Sequence, residues 1–190
     1  MISVIIPAKD AAATIGETLS SLLPDRSLIG EILLVDDGSI DNTVARAWDA
    51  ARDHALPLSV TSVSFASAGA SRNAGLEKAS GDYIFFLDAD DEIVPGGLSY
   101  LRDALRAKPH AGLAVGAAIH RASRVDKLKG PGSFGSDLYH NVTRYLANEL
   151  RSITVGSALV TAAVSAGIRF PEKTGLDEDT LYWAKVLMRA

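Results

Sequence analysis

Cysteine is absent from this chain of 190 residues, and no apolar run in it is long. Without thiols the protein has no disulfide, no zinc–thiolate site and no thiol catalysis, which suits a reducing compartment, so we expect a cytoplasmic location. The longest apolar run, GLAVGAAI at 112–119, is far shorter than the ~20 residues that span a bilayer. We therefore expect no membrane span, while peripheral contact with the inner face of the membrane stays open.

Positive charge is also scarce. The formal net charge is -4, with 19 Lys and Arg against 23 Asp and Glu, so no general attraction to nucleic acid is expected. Apolar residues make up 47% of the chain and charged residues 22%, which is the balance of an ordinary globular protein. The length fits one domain with a substantial core, and the sequence leaves a homodimer open.

Short apolar runs alternate with helical patterns along the chain. Runs without polar alternation indicate strands buried on both faces, so we expect an α/β fold, a three-layer sandwich with a mostly parallel central sheet. One helix is expected from Ile15 to about Leu23, one with Pro95 in its first turn and a last one from about Thr180. Leu98, Leu101 and Leu105 should form the buried stripe of the second of these helices. The segment 121–135, basic and glycine-containing, is predicted to be a loop. The predicted strands are 2–6, 31–37, 58–65, 82–88, 111–121 and 153–160.

Polar clusters follow three of these strands directly, at Pro7–Asp10, Asp36–Ser39 and Asp88–Glu92. Ligands of such sheets bind beyond the carboxyl ends of the strands, so the three clusters should line one crevice. There is no Walker loop and no GxGxxG after the first strand, which argues against an ATPase and a Rossmann dehydrogenase.

The most acidic stretch is FFLDADDE at 85–92. An acidic turn at the start of the following helix would explain Asp91 and Glu92, because carboxylates are favoured near helix N-termini. For Asp88 and Asp90 we favour a metal site, since strand-end carboxylates at i and i+2 can converge on one hard cation. With no cysteine, Mg²⁺ or Mn²⁺ carrying a phosphorylated ligand is the expected occupant.

Two other assignments stay open at this point. Arg72 could clamp a diphosphate, but a solvated arginine on a helix face explains it equally well. A receiver-type phosphoacceptor domain would also have acidic pairs at strand ends. It fits poorly, because Lys108 follows Asp88 by only 20 residues at the end of a helix, and a complete strand and helix precede the segment 31–37.

Four segments in order resemble glycosyltransferase family 2, which has the GT-A nucleotide-sugar fold. SVIIPAKDAAATIGETLSSLL is similar to its opening strand and helix, and EILLVDDGSIDNT to its nucleotide-binding acidic segment. GASRNAGLEKASGDYIFFLDADD resembles the stretch that ends in the DXD metal motif. GIRFPEKTGLDEDTLYWAKVL resembles the later segment in which an acidic pair holds the catalytic base.

The resemblance implies a role for each matching position. Asp88 and Asp90 would form the DXD pair, with Asp90 the more direct metal ligand. Asp179, beside Glu178, would be the general base, although an N-cap of the last helix also explains it. The remaining nucleotide-sugar contacts implied are Pro7, Ala8, Lys9, Asp36, Asp37, Arg72, Asp88 and Ala89.

The implied activity is inverting transfer of a sugar from a nucleotide-diphosphate sugar, a UDP-sugar, to a glycan or lipid-linked acceptor. A divalent cation would assist it, and a non-catalytic nucleotide-sugar-binding module is the alternative. The donor part would be about 1–120 and the acceptor part about 121–190. The chain ends 11 residues after Asp179, whereas members usually continue, so a short family member or a truncated chain is expected. Four basic residues could help to hold a diphosphate or an anionic acceptor: Arg121, Arg124, Lys127 and Lys129.

Overall fold

A computed structural model describes residues 1–122, 125–130, 132–149, 153–172 and 178–190. Its centre is a six-stranded sheet, with a separate two-stranded hairpin beside it. The sheet order is β3-β2-β1-β4-β8-β5, in which β1 to β4 are parallel and β8 runs antiparallel to both of its neighbours. The expected α/β class with a mostly parallel sheet is confirmed. The strands are β1 Ile2–Ala8, β2 Ile29–Asp36, β3 Leu58–Ser62, β4 Tyr83–Phe86, β5 Leu113–Val115, β6 Ala118–Ala122, β7 Val125–Lys129 and β8 Ala158–Thr161.

Helices connect the parallel strands and cover both faces of the sheet. A 3₁₀ segment, Leu23–Leu28, follows the first helix, which is shorter than expected. Pro24 contributes to this, because it has no backbone N–H to continue the α-helical hydrogen bonds. The helices are α1 Ile15–Ser21, α2 Thr43–Asp53, α3 Ala68–Lys78, α4 Gly97–Ala107, α5 Leu138–Leu146, α6 Ala162–Ser165 and α7 Glu178–Leu187.

The core has two parts, one on each face of the sheet. Successive side chains of β1 lie on opposite faces of the sheet. Val4 and Ile6 belong to the first part of the core, and Ile5 belongs to the second. This explains why β1 is apolar without alternation. The second part contains an aromatic cluster, Phe86, Phe170, Tyr182 and Trp183, in which the rings of Phe170 and Tyr182 are stacked with centroids 4.0 Å apart.

Two sequence predictions are wrong between 111 and 135. The single strand expected at 111–121 is divided: β5 ends at Val115 in the main sheet, and β6 pairs with β7 instead. Part of the expected loop at 121–135 is therefore the strand β7, antiparallel to β6. Strand β7 is stabilised by backbone pairing with β6. Its charged sequence, in which apolar and polar residues do not alternate, does not predict a strand.

The start of α4 also differs from expectation. Gly96, in the left-handed region with φ +79°, precedes the helix, so Pro95 lies before α4 rather than in its first turn. The apolar stripe was predicted correctly, since Leu98 and Leu105 are buried.

Gly75 is a close approach of α3 to the sheet, which gives a test of this packing. A Cβ at Gly75 would collide with Cγ2 of Ile5 in β1, so Gly75→Ala should lower the free energy of unfolding by about 1–3 kcal/mol through overpacking. Gly16→Ala in α1 is the matched control, because a Cβ added there would have no described atom within 4 Å. It should raise the free energy of unfolding by about 0.5–1 kcal/mol. Urea unfolding of both variants measures the difference; equal effects would contradict the packing.

Candidate active site

A cavity of about 610 Å³ opens beyond the carboxyl ends of β1, β2 and β4. The segments after these three strands come together there because the strands are parallel neighbours in the sheet. The expected crevice is thus present. Of the residues predicted to contact a nucleotide sugar or metal, those lining it are Pro7, Ala8, Lys9, Asp37, Arg72, Asp88, Ala89 and Asp90.

Arg72 connects the cavity to the last helix. One guanidinium nitrogen donates to Oδ1 of Asp88 at 2.8 Å, and another donates to Oε1 of Glu178 at 2.9 Å. The Arg72 side chain is 5% exposed, so it is not the solvated arginine that was the alternative. Its guanidinium also lies 5.3 Å from the ring centroid of Phe170. A buried cation therefore joins the strand-end acid to the acid that lies 106 residues after the arginine in the sequence.

Small residues in α3 allow this connection. Ser67 caps the helix by accepting a hydrogen bond from the backbone N–H of Ala70. At Gly69, a Cβ would come 2.5 Å from the carbonyl oxygen of Pro171 and 3.4 Å from Cγ of Glu178. Only glycine permits α3 to approach this segment and the start of α7 so closely.

Asp37 is held by the loop that follows β3. Its Oδ1 accepts from the backbone N–H groups of Phe65 and Ala66, and its Oδ2 accepts from that of Ser67. Burial of the carboxyl group opposes ionisation, but these backbone donors outweigh it and lower the pKa of Asp37. Asp37 therefore shapes one wall of the cavity as an ionised acceptor.

Asp36 does not line the cavity, in contrast to the sequence expectation that it could meet the nucleotide. It is the last residue of β2 and is buried, and its Oδ1 has no hydrogen-bond partner among the described residues. Strand alternation explains the difference, because neighbouring residues point to opposite faces and only Asp37 faces the cavity.

The DXD segment is anchored through its middle residue. The segment turns sharply, with the N–H of Asp91 donating to the carbonyl of Asp88 at 3.1 Å. The carbonyl of Ala89 accepts from the hydroxyl groups of Thr14 at 2.8 Å and Thr18 at 2.9 Å. The sequence interpretation missed these two threonines, although their i, i+4 spacing at the start of α1 was visible.

The loop after β1 is tied to the loop after β2. Asp10 has φ +50°, and its Oδ1 accepts from the N–H of Ile40 at 2.8 Å. The N–H of Ala11 donates to Oγ1 of Thr43 at 2.7 Å. Asp10 lines the cavity, as expected for the cluster Pro7–Asp10. The lining residues that were not predicted are Ala11, Ala13, Thr14, Ala66, Ser67, Ala68 and Ser71.

Asp179 lies in the first turn of α7, next to Glu178, so it does not cap the helix from outside. Its Oδ1 accepts from the N–H of Thr180 at 2.8 Å. Burial raises the pKa of Asp179 above its ordinary value, and the repulsion of Glu178 adds to this. The Thr180 N–H and the charge of Arg72 oppose the rise without cancelling it. A carboxylate with a raised pKa is a stronger base than an exposed aspartate.

Two carboxylates at the cavity could hold a cation. Asp90 is exposed and lines the cavity, and Asp88 lies beside it with Oδ1 bound to Arg72. Across the part of the chain that the structure describes, no three Asp, Glu, His or Cys side chains form a metal cage. The pair fits a Mg²⁺-like ion, which is usually held by one or two carboxylates and completed by substrate phosphates.

The predicted basic residues cannot be placed. Arg124 lies outside the described residues, as do the side chains of Arg121, Lys127 and Lys129. No helix among the described residues is both long and apolar enough to cross a membrane.

An α/β sheet with an acidic cavity at the carboxyl ends of its parallel strands is the architecture of GT-A nucleotide-sugar enzymes, as the resemblance implied. Two solved structures share it closely. S. aureus TarS 1-349 in complex with UDP-GlcNAc has a TM-score of 0.75 and 24% identity, over 98% of this chain and 53% of that one. The mannosyltransferase PcManGT from Pyrobaculum calidifontis, with GDP-Man and Mn²⁺, has a TM-score of 0.71 and 20% identity, over 97% of this chain and 51% of that one.

The chain belongs to glycosyl transferase family 2, whose model matches residues 3–163. Uncharacterized glycosyltransferase YibD of Escherichia coli K12 is 40% identical over 50% of this chain and 27% of its own length. UDP-Glc:alpha-D-GlcNAc-diphosphoundecaprenol beta-1,3-glucosyltransferase WfgD of E. coli is 37% identical over 48% of this chain and 35% of its own length. The chain thus matches about a third or less of these two relatives. The family assignment is confirmed, and the receiver alternative is wrong.

The raised pKa of Asp179 predicts a gain in stability when its charge is removed. Because the folded-state pKa lies above the unfolded one, folding favours the protonated carboxyl group. That stabilisation is complete below the unfolded pKa and is lost as pH rises through the folded pKa. Asp179→Asn, neutral at every pH and still able to accept from Thr180, should therefore raise the free energy of unfolding at pH 7 but not near pH 3.

Urea unfolding at both pH values measures this difference. Asp53→Asn, at an exposed position at the end of α2, is the control and should change stability by less than about 0.5 kcal/mol at either pH. A loss of stability at pH 7 in Asp179→Asn would contradict the interpretation.

Proposed function

We propose that this chain transfers a sugar from a UDP-sugar to the hydroxyl group of a glycan or lipid-linked acceptor, with inversion at the anomeric carbon. One observation supports this above the others: Arg72 holds Asp88, at the cavity, and Glu178, beside Asp179, on one guanidinium. Arg72 thereby keeps Asp88, the candidate metal ligand, near Asp179, the candidate base whose pKa is raised.

The cavity suits the donor in size and polarity. Its volume of about 610 Å³ lies within the range of small-ligand sites, roughly 300–1,000 Å³. Relatives support the choice of UDP, since WfgD is named for UDP-Glc and TarS was solved with UDP-GlcNAc. The name of WfgD likewise supports a lipid-linked acceptor. PcManGT was solved with GDP-Man, so the base must be tested.

We propose that Asp90, together with Asp88, holds a divalent cation, Mg²⁺ or Mn²⁺. The Mn²⁺ in the PcManGT structure supports this assignment. Such an ion would neutralise the charge that develops on the leaving nucleoside diphosphate. The N–H and hydroxyl contacts around Ala89 and Asp37 keep the two walls of the cavity fixed around the donor.

On the acceptor side, Asp179 would take the proton of the attacking hydroxyl group. Direct displacement with the base on the face opposite the leaving group inverts the anomeric carbon. General-base assistance of this kind contributes roughly 10²–10⁴-fold. The donor part of the chain would be about 1–120, which contains the cavity, and the acceptor part about 121–190, which contains Asp179.

Calorimetric titration tests the donor site. UDP, GDP and CDP are titrated with and without Mn²⁺ into the unaltered chain and into Asp90→Ala. We expect Mn²⁺-dependent binding of UDP, lost in Asp90→Ala because the exposed cavity carboxylate is gone. Asp91→Ala is the matched control: it removes the next carboxylate, which does not line the cavity, and should keep UDP binding. Absence of binding by any nucleotide in the presence of Mn²⁺ would overturn the proposal.

Asp179→Asn separates a transferase from a non-catalytic binding module. It should bind UDP like the unaltered chain, because Asp179 does not line the cavity, while losing roughly 10²–10⁴-fold in turnover. The readout is release of UDP from UDP-GlcNAc and UDP-glucose, with water or added acceptor. If the unaltered chain binds UDP but releases none from either donor, the binding-module alternative holds.

A further inference from the structure

Asn73, the residue after Arg72 in α3, makes a paired contact with the backbone of Phe170. Its Nδ2 donates to the carbonyl of Phe170 at 3.0 Å, and the N–H of Phe170 donates to its Oδ1 at 2.9 Å. Asn73 is 5% exposed and, unlike its neighbour Arg72, does not line the cavity. Nδ2 also donates to Oε1 of Glu172 at 3.2 Å. All the side-chain hydrogen bonds described for Asn73 thus go to the segment 170–172.

That segment reaches the last helix through an aromatic contact. The ring of Phe170 stacks on Tyr182 of α7, with centroids 4.0 Å apart and planes 1° apart. Tyr182 lies one turn after Glu178 and Asp179 on the same short helix. The other side of the connection involves Arg72, whose guanidinium lies 5.3 Å from the Phe170 ring. Phe170 therefore contacts both the cation that binds Glu178 and the helix that carries Glu178 and Asp179.

We propose that Asn73 is a positioning residue for Glu178 and Asp179, the acidic pair at the start of α7. It acts by fixing the backbone of Phe170. The two hydrogen bonds fix the position of the Phe170 ring. The ring, stacked on Tyr182, fixes the position of the first turn of α7. The close approach of Gly69 to Pro171 and Glu178 requires the same positions of the Phe170 backbone and of α7. This inference rests on the proposed function only for the role of Asp179, since the contacts themselves are independent of it.

The pKa of Asp179 depends on the burial of this carboxyl group. It therefore reports a displacement of α7, which a general loss of stability would not produce. The pKa of Asp179 is raised by burial, while the charged groups that act on it, Glu178 in α7 and Arg72 in α3, act in opposite directions. Asn73→Ala changes neither charge. If the Asn73 hydrogen bonds hold α7 in place, their loss should expose Asp179 and lower its pKa toward the ordinary value. The pKa is measured by NMR on chain labelled with ¹³C-aspartate, with Asp179→Asn assigning the signal.

The chain contains a matched control in Asn141. This asparagine of α5 is 3% exposed and makes the same pair of bonds, with the N–H and the carbonyl of Gly135 at 2.9 and 2.8 Å. Asn141→Ala removes the same groups from a comparably buried position and leaves the two Asn73 bonds to the Phe170 backbone intact. It should leave the pKa of Asp179 unchanged, although it lowers the melting temperature as Asn73→Ala does.

Turnover supplies a second readout. With UDP-GlcNAc as donor and water as acceptor, Asn73→Ala should reduce kcat for UDP release roughly ten- to hundredfold, because a misplacement of about 1 Å has effects of that size. KM for the donor should stay within about twofold of the original, since the cavity itself is unaltered. Asn141→Ala should change neither constant.

An unchanged pKa of Asp179 in Asn73→Ala, or an equal change in Asn141→Ala, would overturn the positioning role. If Asn73→Ala does not fold, Phe170→Leu decides, because it keeps the backbone bonds and removes only the stacked ring. It should also lower the pKa of Asp179, and an unchanged value there overturns the proposal. If the unaltered chain binds no nucleotide and releases no UDP, the proposed function fails, while the pKa comparison still decides the role of Asn73.

Discussion

A buried guanidinium is the constraint on which the rest of this site depends. Arg72 is almost inaccessible to water, and leaving such a charge without a partner costs about 3–5 kcal/mol. It must therefore stay close to carboxylates, and the two it binds belong to the end of β4 and the start of α7. Those elements are far apart in sequence, so one ion-pair network fixes the end of β4 and the start of α7 relative to each other. Gly69 of α3 follows from this, because a Cβ there would collide with the carbonyl oxygen of Pro171 and crowd Glu178, the partner of Arg72.

Sequence reasoning succeeded where a local pattern meets a general rule of sheets. Apolar runs predicted the parallel strands, and the rule that carboxyl ends share an edge brought Asp37, Asp88 and Asp90 to one cavity. It failed where pairing depends on distant segments. Nothing local in β7 indicates that it joins β6, and nothing near Arg72 indicates Glu178 as its partner. The N–H donors around Asp37 come from a loop whose path is fixed only by the complete fold.

Chemically identical side chains acquire different properties here through their surroundings. Backbone donors lower the pKa of Asp37, which makes it a permanent acceptor that shapes the cavity. Burial and the neighbouring Glu178 raise the pKa of Asp179, which makes it a better proton acceptor. Titratable groups whose environments push their pKa values apart are suited to different roles. The division cannot be read from the sequence, where both lie in short acidic runs beside turn-forming residues.

The site also lowers stability, and the position of the aromatic cluster explains how the fold tolerates this. A half-buried carboxylate lies at or near the cavity, as do Oδ1 of Asp36 and Nε of Arg72, neither of which has a hydrogen-bond partner among the described residues. One turn along α7 from Asp179, Tyr182 and Trp183 pack on Phe86 and Phe170, and such ring pairs stabilise by about 0.5–1.5 kcal/mol each beyond burial. Burial raises the pKa of Tyr182 to about 12, so the phenol that shares a hydrogen bond with Ser165 stays neutral at physiological pH. A short helix can therefore begin with two neighbouring acids because the residues that follow hold it firmly against the sheet.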